Sequence, residues 1–286
     1  MQAMSAGQSP PRFSAAQTRP WRVRRVTRGR ASKDLADLLA VEEPLELRVA
    51  GRALAVVMRT PGHDADLAAG FLLSESVVRS ADDILDIMQC RTPQTRAEEG
   101  NVIEVVPARS VRVNFAKLTR HVFSATSCGL CGKATIASVA QQFPPLRRPW
   151  RASAALLRAL PARLAVEQPV FRATGGLHAA ALFDPAGALL VAREDVGRHN
   201  AVDKVLGHAL RSGWLPLRRH ILMVSGRVSF EVMQKALAAC VPVIAGVSAP
   251  TSLAAEFARA HGQTLVGFLR ADRLNVYAGR LAAKGG

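Results

Sequence analysis

The fold of this chain is decided by residues 220–269, HILMVSGRVSFEVMQKALAACVPVIAGVSAPTSLAAEFARAHGQTLVGFL. Three short apolar runs, HILMVSG, VPVIAGV and TLVGFL, alternate with two segments of helical periodicity, SFEVMQKALAA and SLAAEFARAHG. Strands that are buried on both faces have such continuous apolar runs. The stretch therefore predicts a β-α-β-α-β unit within an α/β protein, with a mixed sheet between two helical layers.

The residues before this unit extend it. Residues 178–195, HAAALFDPAGALLVARED, predict a hairpin that turns at Pro185–Gly187. Residues 198–213 place a stripe of apolar side chains on one helical face and end at Gly213, a typical C-cap. Together these segments predict a C-terminal α/β lobe over residues 170–286.

The N-terminal half predicts a second lobe, over residues 34–143. Its segments are a hairpin over 45–59 around Gly51, a helix within 60–78, and a strand, turn and strand over 101–115. Residues 144–169 are rich in Pro, Arg and Ala, and predict a connecting segment with a short helix at 153–160.

The charge of the chain is unevenly distributed. The 286 residues have a formal net charge of +16, and residues 1–33 contain eight basic and no acidic side chains. This composition predicts a disordered basic tail over 1–33. The remaining body has 30 basic and 22 acidic side chains, which favours a ligand with phosphate groups. One Tyr and three Trp offer little for base stacking, so we do not expect a nucleic-acid partner.

The sequence predicts a cytoplasmic protein outside the membrane. Its four cysteines are too few for a disulfide scaffold and suit a reducing compartment. Residues 236–255 carry no charge, but Pro242, Pro250 and a change of periodicity indicate a helix end, a strand and a new helix. Arg24 and Arg25 resemble a twin-arginine export signal, yet no apolar run of the required length follows them.

Two cysteines three residues apart, Cys128 and Cys131, lie in SATSCGLCGKATIAS, residues 124–138. A structural zinc site needs four ligands, but Cys90 and Cys240 are isolated, and no histidine is followed by Glu two residues later. We therefore predict no metal site. A phosphate-binding loop is also excluded, because Ala134 follows Gly-Lys where that motif requires Ser or Thr.

Thiol chemistry remains, as a redox couple or as a carrier. Gly129 and Gly132 leave room beside both sulfur atoms for another protein's active site. The charge of Lys133 and the start of the following helix favour the thiolate form, which is the nucleophile. A second thiol three residues away can resolve or accept a bound sulfur by exchange. The residues alone leave both kinds of chemistry open.

Three polar stretches, 193–204, 225–231 and 268–277, follow predicted strands. Ligands of open α/β sheets bind at the carboxyl ends of strands, so a shared site is one interpretation. Solvated helix starts that carry ion pairs are the other.

The chain resembles the FdhD family of formate dehydrogenase accessory sulfurtransferases over about residues 40–280. The resemblance is carried by several long motifs in fixed order: TPGHDADLAAGFLLSE, TSCGLCGKATI, TGGLHAAALFD, REDVGRHNAVDKVLG, VSGRVSFEVMQKA, VSAPTSLAAEFA and GQTLVGFLRADRLNVY. It departs from the family pattern at Ser76 and Cys240, where we expect Gly.

This resemblance implies a function. Members take persulfide sulfur from a cysteine desulfurase and transfer it to the molybdenum bis(molybdopterin guanine dinucleotide) cofactor, their bound substrate, for formate dehydrogenase. It also implies a cytidine-deaminase-like core without the zinc site, and we expect a homodimer. The family's cysteine pair matches Cys128 and Cys131, with Cys128 as the persulfide carrier. Its cofactor-binding segment matches Phe268, Leu269, Arg270, Ala271, Asp272 and Arg273.

Two alternative functions remain at this point. A non-catalytic chaperone would bind the molybdenum cofactor and use its cysteines only for docking. A thiol-disulfide oxidoreductase would form a reversible Cys128–Cys131 disulfide.

Overall fold

The computed structural model describes residues 14–29, 31–90, 100–115 and 143–283. Its strands are β1 (Thr18–Arg25), β2 (Lys33–Ala40), β3 (Glu43–Val49), β4 (Arg52–Arg59), β5 (Ile84–Gln89), β6 (Val102–Pro107), β7 (His178–Phe183), β8 (Leu189–Asp195), β9 (Ile221–Val224), β10 (Val243–Gly246), β11 (Thr264–Gly267) and β12 (Asn275–Ala278). Its α-helices are α1 (Asp64–Ser74), α2 (Ala154–Val166), α3 (Pro169–Thr174), α4 (Arg198–Arg211), α5 (Phe230–Ala238) and α6 (Ser252–His261).

The central sheet has six strands in the order β12-β11-β10-β9-β7-β8. The strands β9, β10 and β11 are parallel, with α5 and α6 as their crossovers, so the predicted β-α-β-α-β unit is confirmed. The β7–β8 hairpin predicted from residues 178–195 joins β9 in antiparallel pairing. At the opposite edge β12 pairs antiparallel with β11. The sequence did not predict β12, because this short edge strand lacks the apolar run of a central strand.

Side chains of the central strands alternate between two cores. On one face Met223 and Ala245 pack in a core that includes Leu160 of α2. On the other face Leu222 and Ile244 belong to a larger core with α4, α5 and α6. The predicted three-layer arrangement is therefore confirmed. Helix α2 is longer than the predicted helix at 153–160 and supplies one whole layer, so residues 144–169 are more than a connection.

Helix α1 crosses α4 at close range because glycine stands at the crossing on both helices. A Cβ atom on Gly70 would overlap the backbone of Asp203, and one on Gly207 would overlap the backbone of Asp66. Side chains larger than hydrogen would therefore separate the two helices. This crossing joins the two halves of the chain.

A second sheet, β4-β3-β6-β5, packs beyond α1. The β3–β4 pair confirms the hairpin predicted at 45–59, and its turn uses Gly51 with a φ of 76°. Residues of β3 and α1 share the large core with α4 and α5, so the predicted N-terminal and C-terminal lobes have one core in common. The second strand predicted within 101–115 is wrong: residues 108–115 form turns and a helix start after β6.

The N-terminal region corrects a prediction. The sequence predicts a disordered tail over residues 1–33, but Thr18–Arg25 form β1, which pairs antiparallel with β2 along all eight residues. The physical reason is a period-two pattern that net charge concealed, in which Val23 of β1 lies opposite Leu35 of β2.

No helix within the described ranges is long and apolar enough to cross a membrane. The uncharged stretch 236–255 divides, as predicted, into the end of α5, strand β10 and the start of α6.

Candidate functional site

The carboxyl ends of β9, β10 and β11 lie at one edge of the central sheet. Loops 225–229, 247–251 and 268–274 leave the sheet there. The antiparallel hairpin adds two residues to the same edge, because His178 begins β7 opposite Asp195 at the end of β8. All three polar stretches singled out in the sequence therefore reach this edge. It is the position at which open α/β sheets bind ligands.

Close backbone contacts join these loops. Val228 forms a parallel bridge with Pro250, which connects the loop after β9 to the loop after β10. Glycine is required beside this bridge, since a Cβ atom on Gly246 would lie 2.6 Å from Val228 and one on Gly267 would lie 2.7 Å from Pro250. The glycines let the loops pack as one unit around the edge.

The segment predicted to bind cofactor begins with an exposed ring. Phe268 is 41% exposed and has a φ of 48°, in the left-handed region that non-glycine residues seldom adopt. Its amide donates to the carbonyl of Ser248 at 3.1 Å. The side chain of the next residue, Leu269, is fully buried in the α2-side core and anchors the turn. The aromatic face of Phe268 is thus presented to solvent at the site.

The rest of that segment forms a tight polar turn. The amide of Arg270 donates to the carbonyl of Arg273 at 2.8 Å, and the Arg270 guanidinium donates to the carbonyl of Val247 at 2.6 Å. Ala271, Asp272 and Arg273 are exposed, and the Arg273 guanidinium lies 3.4 Å from Asp272. Arg270 therefore braces two loops, while Arg273 reaches into solvent.

Basic side chains gather around the start of β7. Burial, followed by the positive charges of Arg198, His199 and Arg227, lowers the pKa of His178, and the negative charge of Asp195 opposes them. Asp195 is itself paired with Lys204, so its negative charge is shared between that lysine and the cluster. Such a cluster attracts anions, phosphate groups among them.

His199 connects this cluster to α5. Its Nε2 atom lies 2.5 Å from a carboxylate oxygen of Glu231 and 3.1 Å from the hydroxyl of Ser229. In a serine hydrolase triad the carboxylate and the hydroxyl contact opposite ring nitrogens, so this arrangement is not a triad. The other oxygen of Glu231, Oε1, is buried without a hydrogen-bond partner among the described residues. This oxygen is a hydrogen-bond acceptor that lies beside the basic side chains around His178.

The remainder of the stretch 193–204 turns inward. Lys204 Nζ lies 2.7 Å from Asp195 Oδ2 and donates to the carbonyl of Thr60 at 2.8 Å, and neither charged side chain is exposed. Asp195 also accepts hydrogen bonds from the amide of Gly197 and from the side chain of Asn200. Both interpretations of this stretch thus hold in part, because Arg198 and His199 lie at the edge, whereas Lys204 holds α4 to the segment before α1.

Two further buried carboxylates tie the helices together. Asp66 of α1 lies 2.9 Å from Arg193 and 2.6 Å from Arg211, and these pairs outweigh burial, so its pKa is lowered. Asp203 of α4 lies 2.7 Å from Lys235 of α5, but burial is the larger influence and raises its pKa. These contacts stabilise the scaffold rather than the edge.

Comparison with known proteins shows the family of the chain. A model of the FdhD/NarQ family matches residues 40–283. The chain belongs to this family. It is 49% identical over 259 residues to the sulfur carrier protein FdhD of Mycolicibacterium paratuberculosis, with 89% of this chain and 95% of that protein covered. It is 51% identical over 251 residues to the protein of the same name from Streptomyces avermitilis, with 85% and 88% covered.

A solved structure supports the fold. The crystal structure of a proposed formate dehydrogenase accessory protein from Desulfotalea psychrophila covers 92% of this chain and 97% of its own, with a TM-score of 0.73 and 24% identity. The mixed α/β architecture is therefore shared with that structure. The cytidine-deaminase-like core stays a prediction.

Cys128 and Cys131 lie within residues 116–142, outside the described residues. On either side of that segment, Phe115 and Phe143 pack against the large core. The described thiols, Cys90 and Cys240, are free, and burial raises the pKa of Cys240. Among the described residues no cluster of metal-ligating side chains is present.

A cleft of about 670 Å³ lies beside α1 and was missed by sequence reasoning. Its lining includes an ion-pair network in which buried Arg59 bonds to Asp64 at 3.1 Å, to Glu43 at 3.2 Å and to Asn101 at 2.9 Å. The sequence feature beside the cleft is TPGHD, residues 60–64, whose turn residues precede α1 and include its N-cap, His63.

Proposed function

We propose that this protein is a sulfurtransferase that carries sulfur as a cysteine persulfide and serves formate dehydrogenase. The observation that carries the proposal is about half identity, over 85–89% of the chain, to relatives named sulfur carrier protein. The Cys128-Gly-Leu-Cys131 motif supplies the thiols that such a carrier needs.

The loading step is a thiol–persulfide exchange. The Cys128 thiolate attacks the outer sulfur of a persulfide on a cysteine desulfurase, the donor's S–S bond breaks, and the donor cysteine leaves as a thiolate. The product is a persulfide on Cys128, and the exchange needs no external oxidant or reductant. Cys131 then assists the transfer onward as the second thiol.

The acceptor is the molybdenum bis(molybdopterin guanine dinucleotide) cofactor, bound as substrate at the carboxyl edge of the central sheet. The positive cluster around His178, with Arg227 and Arg198, suits the phosphate groups of that molecule. The exposed ring of Phe268 offers a face on which a guanine base can stack. Arg270 and Arg273 in the same loop add two guanidinium groups.

The partners follow from this chemistry. A cysteine desulfurase donates sulfur and formate dehydrogenase receives the completed cofactor. The protein acts in the cytoplasm as a homodimer.

Mass spectrometry after incubation with a purified cysteine desulfurase and cysteine tests the proposal. We expect a gain of about 32 Da, one sulfur atom, on the peptide that contains Cys128 and Cys131. Cys131→Ala should still load and Cys128→Ala should not. The matched control replaces Cys90 and Cys240 with Ser, which should leave loading intact. Sulfur found on Cys131, with loading that survives loss of Cys128, would reverse the assignment.

Formate dehydrogenase activity separates this function from its alternatives. A cofactor-binding chaperone should retain cofactor binding and partial support of activity in Cys128→Ala, whereas a sulfur carrier should bind cofactor but give no activity. A thiol-disulfide oxidoreductase should turn over a generic disulfide substrate, and the carrier should not.

A further inference from the structure

A second, smaller cleft lies at the opposite end of the central sheet from the carboxyl edge. Its volume is about 180 Å³, and its lining includes Thr264, the first residue of β11, and Gly279 after β12. Because β11 runs from Thr264 to Gly267, about 10 Å separates this cleft from the carboxyl edge. This amino-edge cleft shares no described lining residue with the carboxyl edge.

Three arginines line the amino-edge cleft, and they come from three separate segments. Arg151 precedes α2, Arg259 lies in the last turn of α6, and Arg280 follows β12. All three residues are exposed, and none has an ion-pair partner in the described part of the chain. The described lining contains no acidic residue. Like charges gathered around one concavity attract an anion.

Contacts between these segments fix the position of the cleft. The amide of Ala282 donates to the carbonyl of Ala152 at 2.9 Å, which holds the residues after β12 beside those before α2. The Thr264 hydroxyl donates to the carbonyl of Arg280 at 3.4 Å. A Cβ atom on Gly279 would lie 2.5 Å from that hydroxyl oxygen, so the approach requires glycine. The backbone therefore brings the arginines together.

The end of α6 accounts for one of the three arginines. The carbonyl end of a helix favours a cation and disfavours an anion, and Arg259 supplies the cation. Its guanidinium also donates to the carbonyl of Tyr277 at 3.4 Å. Arg151 and Arg280 lie outside this helix. Their two charges are therefore available to a ligand.

A buried acceptor in the lining narrows the choice of ligand. Gln263 is fully buried, and its side-chain amide donates to the carbonyl of Val241 at 3.1 Å. Its Oε1 atom is buried and has no hydrogen-bond partner among the described residues. A buried acceptor without a donor is costly, and a ligand that offers an O–H group removes that cost. The lining thus suits an anion that also carries a hydrogen-bond donor.

We propose that the amino-edge cleft binds inorganic phosphate. Arg151 and Arg280 donate to its oxygen atoms, and its protonated oxygen donates to Oε1 of Gln263. At about pH 8 inorganic phosphate is a dianion that keeps one O–H group, whereas sulfate and the dianion of a phosphomonoester have none. The site therefore prefers inorganic phosphate to both. It is independent of the proposed function, because sulfur transfer and cofactor binding are assigned to other residues.

Other ligands fit the cleft less well. A volume of about 180 Å³ accommodates one tetrahedral anion with bound water, but not a base together with its sugar and phosphate. The carboxylates of an acidic peptide accept hydrogen bonds and have no donor for Oε1 of Gln263. A free amino acid would bring its ammonium group against the guanidinium groups.

Calorimetry with the full chain at about pH 8 tests the site. The probes are inorganic phosphate, sulfate and glycerol phosphate, each titrated separately at one ionic strength. The wild type should bind inorganic phosphate about tenfold more tightly than the other two anions. Arg151→Ala with Arg280→Ala should weaken phosphate binding about 30-fold. Phosphate should also raise the melting temperature of the wild type, and this rise should be lost in the double variant.

Gln263→Met tests the acceptor. Methionine keeps the length of the side chain but lacks Oε1, so phosphate affinity should fall to that of sulfate while sulfate affinity is unchanged. The two anions are compared within one variant, so a loss of stability from this buried substitution does not affect the ratio. The matched charge control is Arg22→Ala with Arg109→Ala, which removes two exposed arginines outside the cleft and should bind phosphate like the wild type.

Several results would overturn the proposal. One is unchanged phosphate affinity in the variant that lacks Arg151 and Arg280. Another is equal affinity of the wild type for phosphate and sulfate, which would mean that the ligand does not meet Oε1 of Gln263. An oligonucleotide that displaces phosphate and binds more tightly would assign the cleft to nucleic acid. Persulfide loading of Cys128 should be unchanged in the cleft variants, so failure of this site is distinguishable from failure of the sulfur chemistry.

Discussion

The polar residues of one stretch, 193–204, contribute to two regions that differ in charge balance. In the inner region two buried carboxylates face cations, as Asp195 faces Lys204 and Asp203 faces Lys235. At the carboxyl edge, the described basic side chains of Arg198, His199 and Arg227 gather around His178. The inner region pairs its charges closely within the protein, whereas the edge gathers basic groups where an anionic ligand can approach.

Physical cost explains the difference. Removing a charge from water is costly unless a partner compensates it, so fully buried Lys204 and Asp195 must be paired. Half-buried His178 and exposed Arg227 stay partly solvated, and unbalanced charge is tolerated there. Basic side chains gathered where strands end therefore indicate ligand binding more strongly than the mere presence of polar residues does.

The largest effect on stability should come from removing one charge of the buried Lys204–Asp195 pair. Lys204→Met leaves the carboxylate of Asp195 buried and unpaired, and should cost about 3–5 kcal/mol of unfolding free energy. Chemical denaturation measures this change. Arg24→Met, which removes an ion pair with Asp34 between exposed side chains, is the control and should cost less than about 1 kcal/mol. Equal costs in the two variants would show that the inner pair is not the scaffold element described above.

A smaller effect should follow at the edge. Replacing Arg270 and Arg273 with Ala should weaken guanosine diphosphate binding about tenfold and reduce its salt dependence, because two phosphate partners are lost. Calorimetry measures both quantities, with Arg109→Ala and Arg158→Ala as the control. Arg270 also braces the carbonyl of Val247, so Arg270→Ala alone should account for most of the loss. Unchanged affinity in the double variant would place the nucleotide elsewhere.

Two departures from the family pattern, Ser76 and Cys240, gain a meaning from the backbone. Both residues have a φ of 60°, in the region that glycine adopts without strain. The expectation of Gly at these positions therefore reflects conformation. Cys240→Gly should raise the unfolding free energy by about 0.5–1 kcal/mol, since strain is relieved at some cost in unfolded-chain entropy. Thermal denaturation tests this, with Cys240→Ala as the control that keeps a Cβ atom.

Much of the fold could be predicted from the sequence because its central strands have a distinctive sequence pattern. Continuous apolar runs such as ILMV and VIAG are typical of strands covered on both faces, and helices of clear periodicity separate them. The β1–β2 pair was not predicted, because the arginines of β1 hid its period-two pattern. The pattern of charge pairing was also beyond the sequence, since Asp195 and Lys204 look as solvated in the chain as Arg198 does. Pairing depends on Thr60 and α1, which are distant in sequence.

The smallest effect concerns pH at the edge. Burial and the charges of Arg198, His199 and Arg227 hold the pKa of His178 below the ordinary value of 6.5, so the free protein keeps this ring neutral near pH 7. The unfolded chain therefore binds a proton at a pH where the folded chain does not. The contribution of His178 is thus a loss of stability as pH falls below 6.5 toward its folded pKa.

A bound phosphate reverses this tendency, because its negative charge favours the protonated ring. Guanosine diphosphate should therefore bind more tightly to the wild type about one pH unit below the ordinary histidine value than at neutral pH. In His178→Gln, this gain in affinity at the lower pH should be about twofold to fivefold smaller than in the wild type. The nucleotide's own titration is common to both proteins, so the difference between their pH profiles isolates His178. Parallel profiles would mean that the bound phosphates lie away from β7, and that the basic cluster there serves another anion.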